Sequence, residues 1–188
     1  MKLILASASP RRRELLSRFG VPFDIDPADG PEIPPVGADP AHTVMALSEA
    51  KASATALRHP SDLVIGADTV VELGGAILGK PRDEADAFRM LRALSGNEHR
   101  VYTGVTLIKG AERVSEAEMT RVFFRDMTDA EIRAYIATGE PMDKAGAYGY
   151  QGVAGLFVER IEGDYFNVVG LPLCRLGRML ETMGVSLL

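Results

Sequence analysis

Short apolar runs alternate with capped helical segments along this chain, and the alternation restricts the fold more than any other feature. Lys2–Ala6 and Leu63–Ala67 are typical of buried strands, because each is a short apolar run. Ser9-Pro10 and Asp39-Pro40 each place a proline after an N-cap residue, which is typical of a helix start. Gly74-Gly75, between two further apolar runs, predicts a β-hairpin with a primed turn. Interleaved strands and helices with a hairpin predict an α/β fold built on a mixed sheet.

The same signals mark the remaining elements. Asp83 precedes apolar residues at helical spacing, Thr128 and Glu131 form a capping box, and Pro172 begins the last predicted helix. Further strands are predicted at Arg100–Ile108, Glu116–Phe124 and Leu156–Ile161, and loops at Asp24–Asp39 and Glu140–Gly152. Because no internal repeat, low-complexity segment or linker divides the chain, residues 1–188 are predicted to form a single domain.

The charge balance argues against a nucleic-acid polymer as the partner. The 188 residues include 21 basic and 26 acidic side chains, which gives a formal net charge of −5. Proteins that coat a nucleic-acid backbone are usually basic, whereas a small polyanion needs only a local cationic pocket. No apolar stretch approaches the roughly 20 residues needed to cross a bilayer, and the first apolar run is too short for a signal peptide. A cytoplasmic protein without a membrane partner is therefore expected.

Cysteine and histidine give no metal signature. Cys174 is the only cysteine, so no intrachain disulfide and no multi-cysteine zinc motif can form. Its apolar surroundings, Leu171–Leu176, indicate a small buried hydrophobic residue. The three histidines, His42, His59 and His99, lack metal-ligand spacing and are interpreted as structural or solvated.

A cationic turn follows the first strand, in the segment Ser7-Ala8-Ser9-Pro10-Arg11-Arg12-Arg13. Arginine in the first turn of a helix opposes the helix dipole at a cost of about 0.3–1 kcal/mol each, so these arginines are not expected to stabilise the helix. The conflict disappears if backbone N–H groups, serine hydroxyls and guanidinium groups bind a phosphate at this turn. The alternative is a solvated arginine face beside an ordinary serine cap.

An acidic side chain follows the second strand, in Gly66-Ala67-Asp68-Thr69. Ligands of α/β sheets collect beyond the carboxyl ends of strands, so Asp68 is expected to lie near the bound anion. A carboxylate beside a triphosphate requires a mediator, and Mg²⁺ that bridges carboxylate and phosphate oxygens is the usual one. Glu32 is a weaker candidate for a second acid. The alternative is that Asp68 is a turn or cap residue.

Two lysines and one glycine-rich loop are further candidates. Lys51 lies among alanines on the second predicted helix, and Lys80 stands before Pro81, where it could reach a phosphate. The loop Glu140–Gly152 contains glycines, two tyrosines and Gln151, which together could approach and stack on a flat base. The alternatives are two solvated lysines and a structural loop whose tyrosines pack on the core.

At these residues the chain resembles the Maf family of nucleotide pyrophosphatases, which are also known as septum-formation inhibitors. The matching segments occur in the family's order from residue 3 to residue 173. They are Ser7–Arg12, Gly66–Val70, Gly79-Lys80-Pro81, Leu94-Ser95-Gly96, Tyr102–Val105, Gly139-Glu140-Pro141, Lys144–Tyr148 and Val169–Pro172. The resemblance implies an extended mixed sheet flanked by helices, with two lobes around a central cleft, similar to the inosine-triphosphate pyrophosphatases.

The resemblance also implies an activity and a set of site residues. The expected reaction is hydrolysis of a nucleoside triphosphate to the monophosphate and pyrophosphate with a divalent metal cation, Mg²⁺ or Mn²⁺. Asp68 would be the proton acceptor and a metal ligand, with Glu32 as a second ligand. The residues expected to bind phosphate are Ser7, Arg12, Lys51 and Lys80.

Three positions match the branch of the family that acts on dTTP and UTP. Arg11, Thr69 and Gln151 stand where the 7-methyl-GTP branch has tryptophan, glutamine and glutamate. Arginine, threonine and glutamine offer donors and an acceptor for the polar edge of uracil or thymine. The alternatives are a modified nucleotide as substrate, or a nucleotide-binding regulator of cell division without significant turnover. A homodimer is compatible with the sequence.

Overall fold

A seven-stranded mixed sheet forms the framework of the chain. The computed structural model describes residues 1–28 and 33–186. Six strands lie in the order β2-β1-β3-β5-β6-β7, and β4 pairs with β3. β1 is parallel to β2 and β3, whereas the pairs β3–β4 and β6–β7 are antiparallel. The strands are β1 (Leu3–Leu5), β2 (Phe23–Ile25), β3 (Leu63–Leu73), β4 (Ala76–Leu78), β5 (Glu98–Lys109), β6 (Glu112–Phe124) and β7 (Val158–Glu162).

The helices interleave with these strands, which confirms the predicted α/β class. They are α1 (Pro10–Ser17), α2 (Pro40–Ala56), α3 (Glu84–Leu94), α4 (Asp129–Ile136), α5 (Tyr165–Val169) and α6 (Leu173–Thr182). Three short 3-10 helices occupy the region predicted as a loop and the start of the last predicted strand. They are Glu140–Asp143, Ala145–Ala147 and Val153–Leu156.

Helix starts were the most accurately predicted features, because each is determined by a side chain within a few residues. The side chains of Ser9, Asp39 and Asp83 each accept a hydrogen bond from the backbone N–H three residues later. At α4 both hydrogen bonds of the Thr128 and Glu131 capping box are present. These hydrogen bonds satisfy N–H groups that the first helical turn leaves without a partner.

The predicted hairpin is also confirmed. Gly74 and Gly75 join β3 to β4 with φ values of 58° and 88°. Positive φ at both positions defines a type I′ turn, which side chains with a Cβ rarely adopt. Glycine is therefore required at this connection by its backbone conformation.

Four local expectations were wrong. β2 lies partly in the predicted loop Asp24–Asp39. This short edge strand is held by pairing with β1, and its residues are exposed or only partly buried, so it has no apolar run by which to predict it. β3 continues to Leu73, which places Asp68 inside a strand. Helix α5 was not anticipated. Cys174 is exposed, because it lies on the outer side of α6, whose buried residues are Leu176, Met179 and Leu180.

The chain divides into two compact units. Unit 1 comprises Met1–Thr69, Thr103–Glu118 and Gly170–Leu188, and unit 2 comprises Val70–Tyr102 and Met119–Val169. In unit 1, α2 approaches the sheet closely: a Cβ added to Gly66 would lie 2.3 Å from the Ser48 carbonyl oxygen. A Cβ added to Gly104 would lie 2.3 Å from the Val44 carbonyl oxygen. The two glycines therefore permit the helix to pack on β3 and β5.

The core of unit 2 is built around aromatic rings. His99, Phe124 and Tyr148 meet edge to face, with centroid distances of 4.9 to 5.3 Å. The Tyr148 hydroxyl lies 2.8 Å from Nε2 of His99. Burial lowers the pKa of His99 to about 4, because the interior disfavours the charged imidazolium. This histidine is structural, as the sequence predicted.

Among residues 1–28 and 33–186, no helix is long and apolar enough to cross a membrane.

Candidate active site

A buried ion pair joins two of the predicted site residues of unit 1. Asp68 lies in β3 with 5% of its surface exposed, and its Oδ1 is 2.5 Å from Nζ of Lys51 on α2. Lys51 can reach the carboxylate because α2 lies against β3 at Gly66, where a Cβ would also meet Ala52, the residue after Lys51. The Lys51 ammonium offsets part of the cost of burying the Asp68 carboxylate.

Arg12 is bonded to three parts of unit 1. Its Nε donates to the carbonyl of Gly170 at 2.8 Å, and Nη2 donates to Oγ1 of Thr69 at 3.0 Å. Its Nη1 donates to Oγ of Ser7 at 3.2 Å. Two of these bonds hold the start of α1 against β3 and the segment before α6, and the third ties it to the turn after β1. Arg12 organises the cationic turn as well as contributing its charge.

Ser7 keeps one hydrogen available for a ligand. Its buried hydroxyl oxygen accepts from Arg12 Nη1 and from the backbone N–H of Ser9 at 3.3 Å. A serine oxygen accepts two hydrogen bonds and its O–H donates one. With both acceptor positions used, the hydroxyl is a donor, which is the polarity that a phosphate oxygen requires.

Thr69 links the carboxylate to the arginine. It follows Asp68 directly in β3, and its hydroxyl contacts both Arg12 and the hydroxyl of Thr103, the latter at 2.9 Å. Thr103 is fully buried in β5. Sequence reasoning gave Thr103 no role, although it lies in the matching segment Tyr102–Val105, because nothing local indicated that its partner would be Thr69. Hydrogen bonds therefore connect Ser7, Arg12 and Thr69. Asp68, the residue before Thr69, is bonded to Lys51.

Arg11 differs from Arg12. It is partly buried in the first turn of α1, and within the described part of the chain its guanidinium forms no hydrogen bond or ion pair. The neighbouring arginines are therefore not equivalent. Arg12 is fixed by the protein, and the side chain of Arg11 is available to a ligand.

Two other predicted residues lie in unit 2. Lys80 is exposed and follows Gly79, whose carbonyl accepts a hydrogen bond from Gly146 N–H at 3.0 Å. Gln151 is exposed in a tight turn closed by a hydrogen bond from Gly152 N–H to the Gly149 carbonyl at 3.0 Å. The Gly79–Gly146 bond ties the strand end that carries Lys80 to the loop that leads into the Gln151 turn.

The two tyrosines of that loop differ in burial. Tyr148 is buried in the aromatic core and bonded to His99, as the structural alternative required. Tyr150 is half-buried, and its ring lies 5.2 Å from that of Tyr165.

The predicted divalent cation has one candidate ligand among the described residues of the site, the carboxylate of Asp68. Among the described residues, no group of three or more His, Cys, Asp or Glu side chains could hold a metal ion. Glu32, the predicted second ligand, lies outside the described residues. Mg²⁺ commonly uses one or two carboxylates together with substrate phosphates and water, and Asp68 is the carboxylate predicted for this role. The metal itself stays a prediction.

Known proteins resemble this chain over nearly its whole length. The dTTP/UTP pyrophosphatase of Koribacter versatilis is 53% identical over 185 residues, covering 98% of this chain and 96% of the relative. The dTTP/UTP pyrophosphatase of Pelotomaculum thermopropionicum is 51% identical over 189 residues, covering 100% and 99%. That of Moorella thermoacetica is 54% identical over 188 residues, covering 98% and 96%.

The fold is also similar to that of a solved structure. The Ham1 protein of Staphylococcus aureus superposes with a TM-score of 0.56 at 15% sequence identity, covering 97% of this chain and 100% of that one. At this identity the similarity concerns the fold alone. The family described as Maf-like protein matches residues 2–183, and the chain belongs to this family.

Proposed function

We propose that this chain is a nucleoside-triphosphate pyrophosphatase that hydrolyses dTTP and UTP to the monophosphate and pyrophosphate. The observation that carries the proposal is the buried carboxylate of Asp68, which is bonded to the Lys51 ammonium. The next residue, Thr69, is hydrogen-bonded to Arg12 of the cationic turn. Relatives that are 51–54% identical over the full chain are named dTTP/UTP pyrophosphatases, which supports the same activity.

The proposed reaction assigns a role to each of these side chains. Asp68 orients a water molecule and accepts its proton as the water oxygen forms a bond to the α-phosphorus. The bond between the α-phosphorus and the bridging oxygen breaks, and pyrophosphate leaves with the electron pair. General-base assistance of this kind contributes about 10²–10⁴-fold to the rate. Asp68 would hold a divalent cation, which would supply charge neutralisation when bound.

The cationic groups hold the phosphates. The Ser7 hydroxyl is assigned the donation to a phosphate oxygen, and Arg12, Lys51 and Lys80 are assigned the positive charge. Because the Lys51 ammonium is bonded to Asp68 without substrate, a bound phosphate competes for this ammonium and changes the surroundings of the carboxylate. Positioning and charge neutralisation are the main contributions that a protein makes to phosphoryl chemistry.

Base recognition is assigned to Arg11, Thr69 and Gln151. Gln151 carries both a donor and an acceptor on an exposed side chain, which suits the alternating edge of uracil or thymine. The Thr69 hydroxyl is bonded to Arg12 and Thr103, so its contribution includes fixing the arginine. The cytoplasm is the compartment we propose, since the substrates are soluble nucleotides.

A substrate panel tests the proposal. Purified protein with Mg²⁺ or Mn²⁺ is expected to release pyrophosphate from dTTP and UTP with far higher kcat/KM than from CTP, ATP or GTP. Release of orthophosphate instead of pyrophosphate would contradict cleavage at the α-phosphorus. Tight nucleotide binding without any product would favour a nucleotide-binding regulator, which needs the cationic turn but has no use for Asp68 as a base.

A further inference from the structure

A tyrosine and a glutamate hold both sides of the turn that carries Gln151. The Tyr135 hydroxyl accepts a hydrogen bond from Gly149 N–H at 3.2 Å, and Oε2 of Glu140 accepts one from Val153 N–H at 3.0 Å. The Tyr135 hydroxyl donates to Oε1 of Glu140 at 2.8 Å, which joins the two supports. The first residue of the turn, Gly149, and the residue after it, Val153, are therefore bonded to one side-chain pair.

This pair is rigidly placed within unit 2. Tyr135 is 2% exposed on α4, and its ring meets that of Phe157 edge to face at a centroid distance of 5.4 Å. Burial, together with the hydrogen bond to Glu140, raises the pKa of Tyr135 above its usual value of 10. The phenol consequently remains protonated and able to donate at any pH at which the protein is assayed.

Close packing confirms that the turn is fitted to the carboxylate. A Cβ added to Gly152 would lie 2.3 Å from both carboxylate oxygens of Glu140. A Cβ added to Gly149 would lie 2.6 Å from Cε of Lys144, whose ammonium donates to the Glu140 carbonyl at 2.7 Å. Both glycines of the turn thus lie against groups anchored at Glu140, and the exposed Gln151 between them has a fixed backbone.

We propose that Tyr135 and Glu140 are positioning residues that set the selectivity for pyrimidine bases by fixing the backbone on which Gln151 is carried. The inference rests on the proposed function, because it assigns base reading to Gln151. Discrimination by hydrogen bonds depends on donor and acceptor positions to within a fraction of an ångström. A more mobile turn is therefore expected to discriminate less between pyrimidine bases. Neither side chain needs to touch the nucleotide.

The test is the ratio of kcat/KM for UTP to that for CTP. Tyr135→Phe keeps the buried ring and removes only the hydroxyl, and we expect the ratio to fall about 3- to 10-fold, the equivalent of one hydrogen bond. In a Gln151→Ala background the same replacement is expected to cause no further fall. Tyr148→Phe is the matched control: it removes another buried hydroxyl of this unit, and the ratio should remain unchanged although the melting temperature falls.

Amide hydrogen exchange provides a second readout that does not need catalysis. Tyr135→Phe should accelerate exchange at Gly149. Glu140→Gln should accelerate exchange at Gly149 or Val153, because an amide cannot accept from both Val153 N–H and the Tyr135 hydroxyl. The inference would be overturned if Tyr135→Phe changed neither the UTP-to-CTP ratio of kcat/KM nor amide exchange at Gly149. It would also be overturned if Tyr135→Phe lowered that ratio equally in the Gln151→Ala background. Wild-type protein that releases no pyrophosphate from any nucleotide would instead overturn the proposed function.

Discussion

The Lys51 ammonium lies 2.5 Å from Oδ1 of Asp68, and neither side chain is more than 17% exposed. The pair has two consequences. The ammonium offsets the cost of burying the carboxylate, and in the proposed reaction a phosphate group would compete with the carboxylate for this cation. Both consequences can be separated by replacing one partner at a time.

Asp68→Asn is expected to abolish turnover and to leave nucleotide binding intact or tighter. The amide cannot accept the proton from water, and the change removes a negative charge near the phosphates. Pyrophosphate release measures the first effect, and titration with a non-hydrolysable triphosphate measures the second. Asp62→Asn is the control, since that carboxylate precedes the same strand and binds the backbone N–H of Lys2; it should retain turnover. Near-wild-type turnover in Asp68→Asn would rule out a general-base role.

Lys51→Met should lower the free energy of unfolding by about 1–3 kcal/mol, because it leaves a buried carboxylate without its partner. The double variant Lys51→Met/Asp68→Asn should recover part of this loss, since the amide is less costly to bury than a lone charge. Chemical denaturation of the four proteins measures the coupling. Additive losses would show that the two side chains do not stabilise each other.

Arg12→Ala is expected to destabilise the protein by about 1–3 kcal/mol even without ligand, because three hydrogen bonds within unit 1 are lost. The sequence alone suggested little effect on stability, since the helix dipole disfavours an arginine there. Arg11→Ala should reduce triphosphate affinity with an unchanged melting temperature. Arg13→Ala, an exposed neighbour, is the control for simple loss of charge. Equal melting temperatures for all three variants would contradict a stabilising role of Arg12 that Arg11 and Arg13 lack.

Gln151→Glu should reduce kcat/KM for UTP and dTTP more than for other nucleotides, because a carboxylate cannot donate to a base oxygen. Binding of inorganic triphosphate, which has no base, should be little affected. Steady-state kinetics on UTP, CTP and GTP separates a base-reading role from a structural one. A uniform loss across the panel would leave Gln151 as a brace for its loop.

Stability should fall as the pH drops from about 6.5 to about 4, because His99 is held neutral in the folded protein with a pKa of about 4. The unfolded chain binds a proton at His99 throughout that interval, so the contribution is fully present above pH 6.5 and lost towards pH 4. Its size is on the order of 3 kcal/mol.

Replacement of the imidazole isolates this contribution. His99→Gln should flatten the pH dependence of the unfolding free energy between pH 6.5 and 4, measured by denaturation at several pH values. Asp26 and Asp86 affect stability at lower pH. Hydrogen bonds from neighbouring basic or backbone groups lower the pKa of each carboxyl to about 2. Their contribution is present above about pH 4 and is lost towards pH 2. An unaltered slope above pH 4 in the variant would contradict the assignment to His99.

Local features of the fold were predictable because their causes lie within a few residues. The caps at Ser9, Asp39 and Thr128 and the turn at Gly74-Gly75 depend on neighbouring atoms, and all were confirmed. The sequence also identified residues that the structure brings together, although they are up to 57 positions apart, as in the bond between Arg12 and Thr69.

What the sequence did not predict depends on distant partners. Strand β2 is held by pairing with β1 and has no apolar pattern of its own. Thr103 and Tyr135 carry ordinary buried side chains, and their importance lies in hydroxyl groups whose partners are fixed only by the fold. Single-residue chemistry can nominate Asp68 or Gln151, but it cannot identify the residues that support them.

The two glycines beneath α2 restrict how this enzyme could be engineered. Replacing glycine by alanine is a common route to a more heat-resistant protein, since it restricts the unfolded chain. At Gly66 and Gly104 the added methyl group would meet a helix carbonyl at 2.3 Å and push α2 outwards. That helix carries Lys51, so its displacement would alter the contact between the ammonium and Asp68. At these two positions the spacing of the backbone sets the contact between two residues of the proposed active site, so thermal stability has to be sought elsewhere in the chain.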